Sequence, residues 1–270
     1  MLIYGVDFTS RPSRRKPITC LECRLQGGVL TAGALESLTT FESFEALLQR
    51  PGPWIAGIDF PFGQPRKLVE NLGWPQSWAG CAEHVGRMTR QEFRKTLDDY
   101  RASRPTGDKE HRRATDIAAS SLSPMKLYGT PVGLMFYEGA PRLHCAGATI
   151  PGLMKGYQDR VVVEAYPGVL ARRLIGRRGY KQDTKAKQTE EQRKAREDLL
   201  MEIQSETLSN THGFRVEAPD SLIDDPGADE LDALLCAIQA AWAWTQRANN
   251  FGMPPNTDSL EGWIAEPSLD

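Results

Sequence analysis

The chain has 270 residues, 40% of them hydrophobic, and a formal net charge of -2. So even a charge balance excludes a protein that coats nucleic acid through bulk charge, and any contact with a polyanion has to be local. The five cysteines, Cys20, Cys23, Cys81, Cys145 and Cys236, are scattered and odd in number, which argues against a disulfide framework and fits a reducing cytoplasm.

Met1 leads straight into a strand-like run, and no apolar stretch approaches the roughly 20 residues of a spanning helix. These features predict a cytoplasmic protein with no membrane partner. The length supports a sizeable core, and residues 1–270 are expected to form a single domain.

Residues 1–8 are apolar enough for a strand buried on both faces. A basic loop, Ser10 to Lys16, follows. Ile18–Leu25 and Val29–Leu35 flank Gln26-Gly27-Gly28, and a Gly-Gly pair between two strand-like runs signals a hairpin. Thr39-Thr40 precedes a helical pattern of Phe41, Phe44, Leu47 and Leu48, closed by Arg50-Pro51-Gly52. The next strand, from Trp54, ends at Asp59, and a strand, helix and strand of this length make a parallel crossover.

Residues 62–157 show weaker periodicity. They read as a helical and loop insertion, with one helix near Thr89–Ala102, that walls the site. The strand Val161–Glu164 and a short helix, Gly168–Ile175, come next. The charged stretch from Lys185 to about Leu208 reads as one long helix with a solvated face. Asp225-Pro226 is expected to launch a helix over Gly227–Ala248. The Pro- and Asn-rich tail from Asn249 is expected to pack loosely.

The chemistry lies in the acids. Leu2-Ile-Tyr-Gly-Val-Asp7-Phe8 and Trp54-Ile-Ala-Gly-Ile-Asp59-Phe60 share one pattern: an apolar strand, a glycine two residues before an aspartate, and a phenylalanine after it. Val161-Val-Val-Glu164 is a third strand ending in an acid. In an open α/β sheet such ends share one rim. Asp232 borders the apolar stripe of the last helix, where an unpartnered acid is costly. Asp229 lies three residues earlier on a neighbouring face.

Carboxylates crowded this way repel unless a divalent cation neutralises them. Hard oxygen ligands without an organised His/Cys set select Mg2+ or Mn2+. Asp7, Asp59, Asp229 and Asp232 are therefore the candidate metal ligands, and Asp7, Asp59, Glu164 and Asp232 the candidate catalytic acids. The competing structural roles are a turn or cap for each strand-end acid and a helix-dipole partner for Asp229.

Two basic sets could hold phosphate: Arg11, Arg14, Arg15 and Lys16 after the Asp7 strand, and Arg172, Arg173, Arg177, Arg178, Lys181 and Lys185 after the Glu164 strand. Arg11 and Lys185 are the candidate substrate contacts from them, with Arg113, Asp116 and Lys126 in the insertion. The four histidines show no zinc or triad spacing. Cys20 and Cys23 would face opposite sides of a strand. No Walker loop or Gly-x-Gly-x-x-Gly follows a strand.

Gly5-Val-Asp7, Gly57-Ile-Asp59-Phe-Pro-Phe-Gly63, Glu164-Ala-Tyr-Pro167 and Asp229-Glu-Leu-Asp232 together resemble the domain of unknown function 429 family, described as predicted RNase H-like nucleases. The resemblance implies an RNase H-like fold: a five-stranded mixed sheet, its second strand antiparallel, with helices on both faces and an insertion after the fourth strand.

It also implies that Asp7, Asp59 and Asp232 with Asp229 hold two magnesium ions, and that Glu164 belongs to the family's Glu-x-Tyr-Pro strand. The expected activity is metal-dependent hydrolysis of a phosphodiester in a nucleic-acid or nucleotide substrate. Two alternatives stand beside it. One is a non-catalytic nucleotide- or partner-binding protein of the same fold. The other is an actin- or sugar-kinase-like phosphotransferase, which the Gly5/Gly57 echo favours and the missing Gly/Thr-rich phosphate turns oppose.

Overall fold

A computed structural model of the chain describes residues 1–269, with Lys185 described by its backbone alone. The first strand, β1 (Leu2–Asp7), pairs antiparallel with β2 (Ile18–Gln26), which pairs antiparallel with β3 (Val29–Leu38). Gly27 and Gly28 form the two-residue turn between them. Both have positive φ, 58° and 75°, the conformation that a tight hairpin needs and that glycine adopts without steric penalty.

Helix α1 (Phe41–Leu48) begins at Thr40, whose side chain accepts the Ser43 N–H, and buries Phe44, Leu47 and Leu48. It returns the chain to β4 (Trp54–Ile58), parallel to β1 with Gly5 opposite Gly57.

Five helices follow: α2 (Arg66–Leu72), α3 (Trp78–Gly86), α4 (Arg90–Ala102), α5 (Ala114–Ala118) and α6 (Val132–Ala146). The chain then forms β5 (Ala148–Thr149), β6 (Tyr157–Glu164), α7 (Pro167–Ile175), α8 (Glu190–Ile203), α9 (Glu206–His212), β7 (Arg215–Glu217) and α10 (Asp229–Thr245).

The sheet has seven strands in the order β5-β6-β4-β1-β2-β3-β7, not the five expected. The two extra strands are at the edges, β5 with two residues and β7 with three. Runs that short carry no periodicity. As expected, the second strand is the antiparallel one, while β1, β3, β4, β5, β6 and β7 run the same way.

Alternation along the strands separates two cores. Tyr4, Val6, Phe8, Ile58 and Phe60 pack with Phe44, Trp78, Phe93 and Phe136 on one face. Ile3, Ile55, Val161 and Val163 pack with Leu170, Leu199, Leu231 and Leu234 on the other. Cys20 and Cys23 fall on opposite faces as the strand period requires, and all five cysteines are free.

Three local expectations are corrected. The charged stretch is not one helix. Lys185–Lys187 make a single 3-10 turn, and α8 starts where Thr189 and Gln192 cap each other. It stops before Ser205, whose extended backbone begins α9.

The last helix starts at Asp229 and ends at Thr245, shorter at both ends than Gly227–Ala248. Asp225 accepts the N–H groups of Gly227 and Asp229, and Ala228 takes a left-handed φ of 59°. The Pro226 turn thus precedes the helix instead of opening it, and Asp229 and Asp232 both fall in its first turn.

The tail does not pack loosely. Leu260, Ile264 and Ala265 are buried, and the Ala265 N–H donates to the Glu164 carbonyl at 2.9 Å. Arg66 holds Asp258 from the other side. Among the described residues, no helix is long and apolar enough to cross a membrane.

Candidate functional site

The Gly-x-Asp pattern has a packing cause. Gly5 and Gly57 lie side by side on the face covered by α10. A Cβ on Gly5 would stand 1.8 Å from the Ala233 carbonyl oxygen, and one on Gly57 would stand 2.3 Å from that of Cys236. The helix therefore rests on bare backbone. Two residues on, Asp7 and Asp59 project from the same face, just past the helix start. Phe8 and Phe60 point the other way and pack at 4.8 Å between ring centroids.

Asp232, in the first turn of α10, completes the group. It is 1% exposed, accepts the Tyr180 hydroxyl at 2.8 Å and is ion-paired with Lys181. Burial, then the charges of Asp232, Asp59 and Asp229, hold the Asp7 carboxyl well above the usual carboxylate range. Burial pushes Asp59 up to about 7, with Lys181 opposing and Asp232 and Glu164 adding to the shift.

Burial works against the Lys181 charge, but Asp232, Tyr180, Asp7 and Asp59 outweigh it and raise its pKa well above the ordinary value. Asp229 is raised by burial, against the opposing hydrogen bond from Lys16. The Lys16 ammonium donates to both Asp229 oxygens, at 2.7 and 3.0 Å.

The structure thus brings together Asp7, Asp59 and Asp232, with Asp229 one turn away. Lys181 and Lys16 answer their charge. Both lysines belong to the two basic sets expected to hold phosphate, but here they pair with the acids instead.

Glu164 ends its strand beside Asp59 but has a different environment. Its oxygens accept both terminal nitrogens of Arg113, at 2.6 and 2.8 Å, and the Phe62 N–H at 2.9 Å. Arg113, 1% exposed, also donates to both oxygens of Asp116. One guanidinium therefore clamps two carboxylates, and its remaining capacity goes to the Glu261 carbonyl. This buried network ties α5, β6 and the tail together and fixes the turn after Asp59.

Of the other expected substrate contacts, Arg11 is exposed and Lys126 turns its ammonium over the Tyr128 ring. The Lys185 side chain lies outside the described residues. Beside Asp59 a cavity of about 230 Å3 is lined by Phe60, Pro61, Arg113, Asp116, Leu122, Met135, Tyr166 and Lys181, among others.

Among the described residues, no three His, Cys, Asp or Glu side chains stand ready arranged around one ion. A cation would replace Lys181 in holding Asp232. The donor set suits one all the same: hard oxygens, mutually repelling and partly driven to protonate.

No curated protein and no solved structure matches the chain significantly. Residues 5–257 match the model of the family described as "Protein of unknown function (DUF429)", and the chain belongs to that family.

Proposed function

We propose that the protein is an RNase H-like, Mg2+- or Mn2+-dependent nuclease or phosphodiesterase acting on a nucleic-acid or nucleotide substrate. One observation carries the reading: α10, seated on Gly5 and Gly57, holds Asp232 against the paired strand-end acids Asp7 and Asp59. The order β3-β2-β1-β4-β6, with β2 reversed, supports the fold assignment.

Asp7, Asp59 and Asp232 would hold the cation, with Asp229 at its edge. Bound there, a divalent ion supplies an activated water and neutralises charge on the phosphodiester. Tyr180 keeps one Asp232 oxygen oriented. Lys181, its side chain 44% exposed, can leave the other oxygen and turn its ammonium to a substrate phosphate. Glu164 and Arg113 act at one remove, by fixing the peptide that follows Asp59.

The observation that Lys181 and Lys16 already pair with these acids favours a second reading, metal-free nucleotide binding without hydrolysis. Titrating the protein with Mn2+ separates the two. The first reading expects saturable binding that Asp7→Asn and Asp232→Asn each weaken at least tenfold, with Mn2+-dependent cleavage of an oligonucleotide panel. Unchanged Mn2+ affinity in both variants overturns it.

A further inference from the structure

The cavity beside Asp59 has walls that phosphodiester chemistry alone does not require. Phe60, Pro61, Leu122, Val132, Met135 and Tyr166 line it with carbon. At about 230 Å3 it is smaller than the usual pocket of a drug-sized ligand, which is roughly 300–1,000 Å3. It has room for one ring system. Leu122, at 45% exposure, leaves its apolar side chain partly open to solvent.

A second, basic cavity adjoins the first. It is lined by Ser120 and Tyr180, next to Ser121 and Lys181 of the first cavity, by Gly168, two residues from Tyr166, and by Arg172 and Arg177 farther along. The Tyr166 ring forms part of the partition, lying so close to Gly168 that an added Cβ would approach it to 2.8 Å. Arg178 is paired with Asp198, while Arg177 is exposed. An apolar slot that reaches Asp59 and an arginine-lined groove therefore lie side by side.

Resting on the reading above, we propose that the apolar cavity takes one unpaired nucleobase of the substrate, its attached phosphate lying at Asp59 and the neighbouring phosphates at Arg172 and Arg177. A base inside a duplex stack cannot enter such a slot unless it is extruded. The Tyr166 ring can accept any base by stacking, and arginines track the backbone without reading sequence. The substrate class is thus single-stranded nucleic acid or a free nucleotide, which share an unstacked base joined to phosphate.

The test uses the full chain with Ca2+ replacing Mg2+. The probes are a single strand of about ten nucleotides carrying 2-aminopurine, the same strand in a blunt duplex, and the free 2-aminopurine nucleotide. The single strand is expected to bind at least tenfold tighter than the duplex, with a change in 2-aminopurine emission. Val132→Trp, which fills the slot, and Leu122→Asp, at its open edge, are each expected to weaken binding about tenfold, with circular dichroism unchanged.

Free nucleotide binding as tightly as the strand identifies the nucleotide as the source of the base. Equal affinity for strand and duplex, no binding of any probe, or wild-type binding by folded variants overturns the proposal. Slot-dependent binding without hydrolysis in Mg2+ defeats the nuclease reading alone. Duplex cleavage unaffected by Val132→Trp defeats the slot alone.

Discussion

Two groups of carboxylates meet at the carboxyl rim of the sheet, and they are satisfied in opposite ways. Glu164 and Asp116 share the guanidinium of Arg113, with every carboxylate oxygen hydrogen-bonded and the side chains buried. Asp7, Asp59 and Asp232 are crowded, and the nearest cation is Lys181, on a long and half-exposed side chain. The first group is closed and holds structure. The second keeps repulsion in reserve, which a bound cation would relieve, as the proposed metal-dependent site requires. An acid at the end of an apolar strand can serve either purpose, and the partner decides which.

The sharpest way to break this contrast is to remove the clamp. Arg113→Ala leaves Glu164 and Asp116 buried and unpaired, and losing one partner of a buried pair costs about 3–5 kcal/mol. Urea unfolding should show a loss of unfolding free energy of that order. Arg113→Lys should recover only part of it, since an ammonium cannot make two bidentate contacts. A loss below about 1 kcal/mol, the level of a surface pair, would remove the distinction between the two groups.

The seat of α10 tests the other group. In Gly57→Ala the new methyl meets the Cys236 carbonyl, which is backbone and cannot rotate away. The helix must lift, at about 1–3 kcal/mol for an overpacked contact. Because Asp232 rides on that helix, Mn2+ affinity should fall in the same variant although no acid is changed. Wild-type Mn2+ binding would show that the helix seat does not set the acid geometry.

Much of the acid group was legible because its cause is local. The glycine that admits the helix stands two residues before each strand-end aspartate, so packing and chemistry are written in one short pattern. The role of Glu164 was not legible. Its strand resembles the others, and the guanidinium that neutralises it comes from 51 residues earlier in the chain, out of a segment with weak periodicity. Lys181 was legible as one of a basic set for phosphate, but its pairing with Asp232 was not, because that contact spans 51 residues of the chain. The tail was misjudged because its prolines and asparagines indicate turns, while Leu260 and Ile264 act through distant contacts.

The smallest effect expected reads the charge reserve directly. Folded, the Asp59 carboxyl titrates near 7, above the usual carboxylate range chiefly because of burial; unfolded, it titrates near 4. Between these values the folded chain keeps a proton that the unfolded chain has released, so native stability falls as pH rises from about 4 to about 7 and stays at the lower level above that. Asp59→Asn abolishes the loss. Metal-free, it should be more stable than wild type at pH 8 by about 1–2 kcal/mol, since partial exposure screens the charge, and indistinguishable near pH 4. Melting curves at the two pH values, with and without Mn2+, check this. Mn2+ should close the pH 8 gap by stabilising wild type only, because the ion binds the ionised acids of the folded state. A variant no more stable than wild type at pH 8 would mean that Lys181 already discharges the acids, leaving a cation nothing to relieve.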